Sequence, residues 1–302
     1  METMNIHHGT ELMEDMVLPK RRSMFASICL RFAKNKMAMV GLAIFVVILL
    51  FAIFAGVLVD YEEEVITQNV RIRLQEPSAE HPLGTDAYGR DMFARIIWGA
   101  RLSLSISITA VAVSLIAGAI IGAIAAYYGG VLDGVLMRIV DVFLAIPSTL
   151  MAVTVVAALG TGVSKLILAL SISMVPPFAR IVRSTVLQVK GSDYIEAARA
   201  YGSNDFYIIL KHVLPNAIGP IIVQATLNLA SVLLSVAALG FIGLGVPSPE
   251  PEWGTMLAEN KAQMRYYPTL VLYPGIAIIL SVLSINLIGD GLRDALDPRL
   301  KN

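Results

Sequence analysis

The chain has 302 residues, 56% of them hydrophobic and only 15% charged, with a mean hydropathy of +0.72. Soluble domains carry about 25% charged residues, so a water-soluble globule is excluded and a polytopic, all-α membrane protein is expected. The formal net charge is zero, so information lies in how charge is shared among loops, and no nucleic-acid partner is expected.

Residues 1–36 read as a polar tail whose basic end holds Lys20, Arg21, Arg22, Arg31, Lys34 and Lys36. Met1 to Pro19 is acidic and has no apolar core, so no cleavable leader is expected and the first span serves as its own insertion signal. His7-His8 has no further ligand beside it and reads as tail rather than metal site. Cys29 is the single cysteine, which rules out a disulfide framework or a cysteine-rich metal site within one chain. The apolar run over 37–59 is long enough to cross a bilayer, which needs about 20 residues, and the basic flank places the tail inside.

Residues 60–100 then form an outer loop, opening on Asp60, Glu62, Glu63 and Glu64. Its centre is His81-Pro82-Leu83-Gly84-Thr85-Asp86-Ala87-Tyr88-Gly89-Arg90-Asp91, punctuated by Pro82, Gly84 and Gly89, and Asp91 is expected to cap a helix carrying Met92, Phe93, Ile96 and Ile97. The spacing of His81, Asp86 and Asp91 fits no common ligand pattern, so no metal is expected there. This run closely resembles the HPLGTDxxGRD segment of the dipeptide and oligopeptide permease family.

Further spans are expected at 102–127, 136–159, 164–187, 216–245 and 269–288, giving six with both termini inside. Inside segments would hold 15 of the 23 Lys and Arg, as the positive-inside rule requires. Gly118 and Gly122 form a GxxxG read as a packing device, while Pro147 and the Pro176-Pro177 pair should bend or unwind the third and fourth spans. Asp141, Arg180 and Arg183 sit near the inner mouth as candidate gate or pathway residues, with Asp141 expected to pair with one of the arginines. The outer loop Pro247-Ser248-Pro249-Glu250-Pro251-Glu252-Trp253-Gly254-Thr255-Met256-Leu257 is proline-stiffened and reads as a rigid connector or a contact for another protein. It resembles the same family's PxPEWGxML segment, and Gly289 to Arg299 resembles the family's C-terminal signature.

The remaining polar interruption, residues 193–215, reads as two short helices meeting at Gly202. Asp193 with Glu196 makes a loose capping box, Ser203, Asn204 and Asp205 can cap the second helix, Phe206, Ile209, Leu210 and Val213 should share one face, and Pro215 should stop it. An apolar-faced helical hairpin beside a membrane is suited to a groove in another protein. Glu196-Ala197-Ala198, Gly202 and Leu214-Pro215 resemble the EAA loop of ATP-binding-cassette importer permeases, and His212 resembles the peptide and nickel branch in particular.

The resemblance covers about residues 20–300. It implies a type I importer permease fold with six transmembrane helices, in the cytoplasmic membrane of a prokaryote: a tail over 1–36, a first span over 37–59, a loop over 60–100, a core over 101–289 with the coupling loop at 190–215, and a tail over 290–302. It further implies a C-type subunit paired with a homologous B-type one, two ATP-binding subunits docked on Glu196, Ala197, Ala198, Gly202, His212, Leu214 and Pro215, and an external substrate-binding protein met by Asp86, Arg90, Asp91, Glu252 and Trp253. Di- or oligopeptides would be the cargo, with nickel chelates the sister alternative.

None of the eight lysines follows a glycine, so the chain holds no GxxxxGK[ST] phosphate loop, and ATP and Mg belong to partner subunits. Neither a nucleophile elbow nor HExxH is present, so no catalytic residue is assigned. A stand-alone secondary transporter would place ionisable residues near the bilayer midplane, whereas here they lie near span ends.

Overall fold

Along the spans, apolar side chains face both neighbours and surroundings, so helix ends are set by caps and turns more than by periodicity. The computed structural model describes residues 24–296, with helices α1 (Met24–Lys34), α2 (Lys36–Leu58), α3 (Met92–Tyr128), α4 (Gly130–Leu144), α5 (Ser148–Leu159), α6 (Val163–Lys190), α7 (Asp193–Ala200), α8 (Asp205–Ile208), α9 (Leu214–Phe241), α10 (Trp253–Asn260) and α11 (Thr269–Leu296). His7-His8 and the last residues of the C-terminal signature lie outside the described residues. Among the described residues, five helices are long and apolar enough to cross a membrane, and six spans result when the bent pair α4–α5 counts as one.

The 37-residue α3 is the hub, packing on α2, α6 and α9. Gly118 and Gly122 bring it onto α6: a Cβ at Gly118 would lie 2.5 Å from the Phe178 Cβ, and one at Gly122 would lie 2.4 Å from the Ala179 carbonyl oxygen. The GxxxG is therefore a close-approach surface inside this chain. One apolar cluster joins α3, α5, α6 and α9, and a second joins α2, α3, α9, α10 and α11 around Trp253 and Met256. On the outward face of α2, Val47, Ile53, Phe54 and Val57 are 50 to 84% exposed, as suits a helix set against lipid tails.

One expectation holds and three change. The third span is two helices bent by 83° across Ala145, Ile146 and Pro147, because proline lacks the N–H that would continue the ladder and pushes the preceding residue out of helical geometry. Pro176-Pro177, expected to bend or unwind the fourth span, lies inside an unbroken α6. Pro215 does not stop a helix; it sits in the first turn of α9, where a missing N–H is harmless, and a wide turn over Ile209–Val213 carries α8 into α9. The last span runs on to Leu296, held there because Gly291 lies against Ala38 and Phe32, and the tail end before the first span is itself the helix α1. Asn35 joins these ends, accepting from the N–H groups of Met37 and Ala38 and donating to Asp294 at 3.1 Å.

Candidate functional site

The hairpin α7–α8 sits on the ends of α3 and α6. Ile195, Ile208 and Val213 are fully buried against Ala123, Tyr127, Val182 and Val186, and the Tyr127 hydroxyl donates to Asp205 at 2.5 Å. At the turn Gly202 has φ +76°, the left-handed conformation, and the Ser203 N–H donates to the Ala198 carbonyl at 3.2 Å, the long bond of a Schellman cap. Asn204 caps α8, its side-chain oxygen accepting from the Phe206 N–H at 3.0 Å. Asp193 is the first residue of α7 rather than its cap; Ser192 precedes it, its carbonyl accepting from the Ile195 N–H at 2.9 Å.

The expected apolar face is split. The wide turn shifts the register, so Val213 turns inward with Ile208, while Phe206 and Leu210 are 70% and 50% exposed. Tyr194, Tyr201 and Tyr207 on the same hairpin are exposed as well. Glu196, Ala197 and Pro215 are also exposed, Ala198 and Leu214 pack toward the buried cluster, and the His212 ring stands edge-on to Tyr207 with centroids 5.7 Å apart.

Two ion pairs tie α4 to α6. Arg180 pairs with Asp141, as expected, and both are half exposed or more; Arg183 instead holds Asp133 through two bonds of 2.6 Å, in a more sheltered place. Asp133 was not singled out from the sequence, although its eight-residue spacing from Asp141 keeps both acids near one side of α4. An exposed pair contributes about 0–1 kcal/mol and a bidentate sheltered one about 1.5 kcal/mol or more. Asp141→Asn is therefore expected to leave the melting temperature in detergent almost unchanged, and Asp133→Asn to lower it by several degrees. Equal shifts would contradict this ranking.

At the opposite end, the loop residues expected to meet another protein are instead the inside of a buried frame. Asp86, Arg90, Asp91, Glu252 and Trp253 are at most 6% exposed. Arg90 donates from Nε to Asp86 at 2.7 Å and from Nη2 to Glu259 at 2.6 Å; Arg95 donates to Glu259 at 3.0 Å and to the carbonyls of Val65 and Pro249 at 2.8 and 3.0 Å. Asp91 caps α3 through the Ala94 N–H and pairs with His81 Nδ1 at 2.7 Å, which occupies the side chains once weighed as metal ligands. Glu252 caps α10 through the N–H groups of Gly254 and Thr255, and Trp253 donates to the Ile96 carbonyl at 3.1 Å. Burial pushes the Glu252 carboxyl above the usual carboxylate range, and these donors with the Ser103 hydroxyl pull it back. These side chains clamp two loops to α3 and present nothing to a partner's surface. Arg95 and Glu259 complete the frame and were not singled out; the signal was an arginine inside an otherwise apolar helix start.

The chain is a membrane-spanning permease: it belongs to the family described as the binding-protein-dependent transport system inner membrane component, matched over residues 118–302. Residues 23–77 match the N-terminal transmembrane domain of oligopeptide transport permease C, which makes the chain a C-type permease of the dipeptide, oligopeptide and nickel branch. It is 49% identical over 271 residues to the dipeptide transport system permease of Alkalihalophilus pseudofirmus, covering 89% of this chain and 88% of that one. It is 43% identical over 275 residues to the di/tripeptide permease of Pseudomonas aeruginosa (90% and 91% covered), and 41% over 273 residues to the glutathione permease of Pectobacterium atrosepticum (90% of each). An inward-facing structure of the methionine ABC transporter MetNI superposes with a TM-score of 0.57 at 21% identity, covering 68% of this chain and 98% of that one, which establishes the shared fold.

Proposed function

We propose that the chain is one half of a heterodimeric permease that moves di- or oligopeptides inward across the cytoplasmic membrane, driven by two separate ATPases docked on the hairpin. One observation carries the docking: five large apolar or aromatic side chains, Tyr194, Tyr201, Phe206, Tyr207 and Leu210, are 46 to 91% exposed on a hairpin anchored from below by buried Ile195 and Ile208. Large apolar side chains left exposed together on one anchored hairpin mark an interaction site. Both termini and the hairpin lie on the cytoplasmic side in this reading, which the basic residues of that end support. The binding protein docks at the opposite end, on the outer surface of the loops that the buried frame holds. Nickel chelates stand as the alternative cargo; the names of the three relatives above support short peptides.

With no phosphate loop of its own, the purified chain is expected to bind no ATP and hydrolyse none, while the complex co-expressed with its neighbouring P-loop subunits hydrolyses ATP faster when binding protein and peptide are added. Calorimetry with a slowly hydrolysed analogue and a phosphate-release assay read the two halves. Nucleotide binding by the isolated chain would contradict the assignment, and stimulation by a nickel chelate but no peptide would transfer it to the alternative cargo.

A further inference from the structure

One face of α9 is polar without being charged. Gln224, Asn228, Ser231 and Ser235 follow one another at spacings of four, three and four, which at 100° per residue places them along one narrow stripe, and α9 contains no ionisable residue. Ser231 is exposed and the other three are partly so. Gln224 donates to Asn228 at 3.0 Å, and the Asn228 Nδ2 is buried with no acceptor. At its upper end the stripe runs into a cavity of about 140 Å³ between α5, α6 and α9, whose wall is mainly apolar (Leu170, Met174, Ala238, Leu239), with Ser148, Thr149, Ser173 and Ser235 set among these. The hydroxyls of Ser148 and Thr149 make no hydrogen bond among the described residues, and they stand where the Pro147 bend starts α5.

Amides turned toward hydrocarbon are costly, so a mid-span stripe of this kind faces water or protein. We infer that Gln224, Asn228, Ser231 and Ser235, beside the largely apolar cavity at their end, form the part of the translocation path that handles a peptide's backbone amides; this rests on the importer reading above. Carboxamides and hydroxyls both donate and accept, as a peptide group does, and the lack of charge leaves the ligand's side chains unread. A path for varied short peptides needs that combination. The placement also supplies a mechanical link. Residues 205–241 run as one continuous helical segment from the hairpin into the span, so a displacement of the docked hairpin is transmitted to the stripe without a hinge at Pro215.

The test uses the assembled complex in proteoliposomes, with Cys29→Ser as background and Ser231→Cys as probe. A charged, membrane-impermeant thiol reagent is expected to modify Ser231→Cys, and a transported dipeptide to slow that reaction severalfold, while Ile279→Cys on the exposed face of α11 stays unmodified. Asn228→Leu is expected to lower peptide uptake about five- to tenfold at equal abundance of complex, the scale of one lost buried hydrogen bond, and Asn228→Gln to restore most of it. The inference is overturned if Ser231→Cys is unreactive in every nucleotide state, reacts without regard to peptide, or forms a disulfide with the second permease subunit, or if Asn228→Leu transports normally. Should the wild-type complex move no peptide, the importer reading falls, and labelling of Ser231→Cys by the reagent still decides whether the stripe meets water.

Discussion

Gly202→Val is expected to abolish uptake while the protein reaches the membrane at normal abundance. Gly202 holds φ +76°, and an added Cβ would meet nothing within 4 Å, so the substitution fails through backbone conformation alone. A β-branched residue there costs on the order of 1–2 kcal/mol or more, which the hairpin relieves by leaving the left-handed state and breaking the Ser203 to Ala198 bond. The spans, the GxxxG contact and the loop frame lie elsewhere and stay intact. The exposed aromatics of α7 and α8 then lose their relative placement, so ATPase co-purification and uptake fall together. Glu196→Lys is expected to act more mildly, since Glu196 is exposed and its contribution is the charge it places near the positive end of α7. Wild-type uptake by Gly202→Val at wild-type abundance would contradict the coupling role of the hairpin.

Glu259→Leu is expected to destabilise the fold severely. Glu259 Oε2 lies 2.6 Å from Arg90 and 3.0 Å from Arg95, whose side chains are fully buried, and Asp86 is the other carboxylate of the group. Removing it leaves two buried guanidinium groups facing one acid, and breaking a buried pair in this way costs about 3–5 kcal/mol. That is a large share of the stability of an ordinary domain. Membrane abundance and the melting temperature of the solubilised protein should both collapse, and Glu259→Gln, which keeps an acceptor, should be partly spared. A stable Glu259→Leu protein would mean that the loops are held by their proline and glycine geometry instead.

These two sites differ in how far the sequence disclosed them. The hairpin was legible because its signals are local: a glycine after a run of good helix formers, a capping asparagine, and a polar gap between apolar segments all act within a few residues. Its surface was harder to read, because the wide turn at Ile209–Val213 moves Val213 inward and leaves Phe206 and Leu210 outside, and nothing in the composition marks such a turn. The Pro147 bend was legible in kind but not in size, and Pro176-Pro177 shows the opposite case, in which packing of α6 against α3 keeps the helix continuous. The buried frame was misread as a surface for a physical reason. Charged residues in a polar loop are normally solvated, and the acid that closes the group around Arg90 and Arg95 is Glu259, more than 160 residues further along the chain. Asp133 was hidden similarly, since its arginine lies fifty residues away on α6.

The most direct measurement of the central claim is cross-linking from the hairpin surface. In the Cys29→Ser background, Phe206→Cys carrying a short photoactivatable thiol probe is expected to give one major adduct in native membranes, whose second component is a P-loop ATPase and whose yield changes when nucleotide is added. Adducts with lipid alone, or none at all, in membranes that still take up peptide at the wild-type rate would contradict the account.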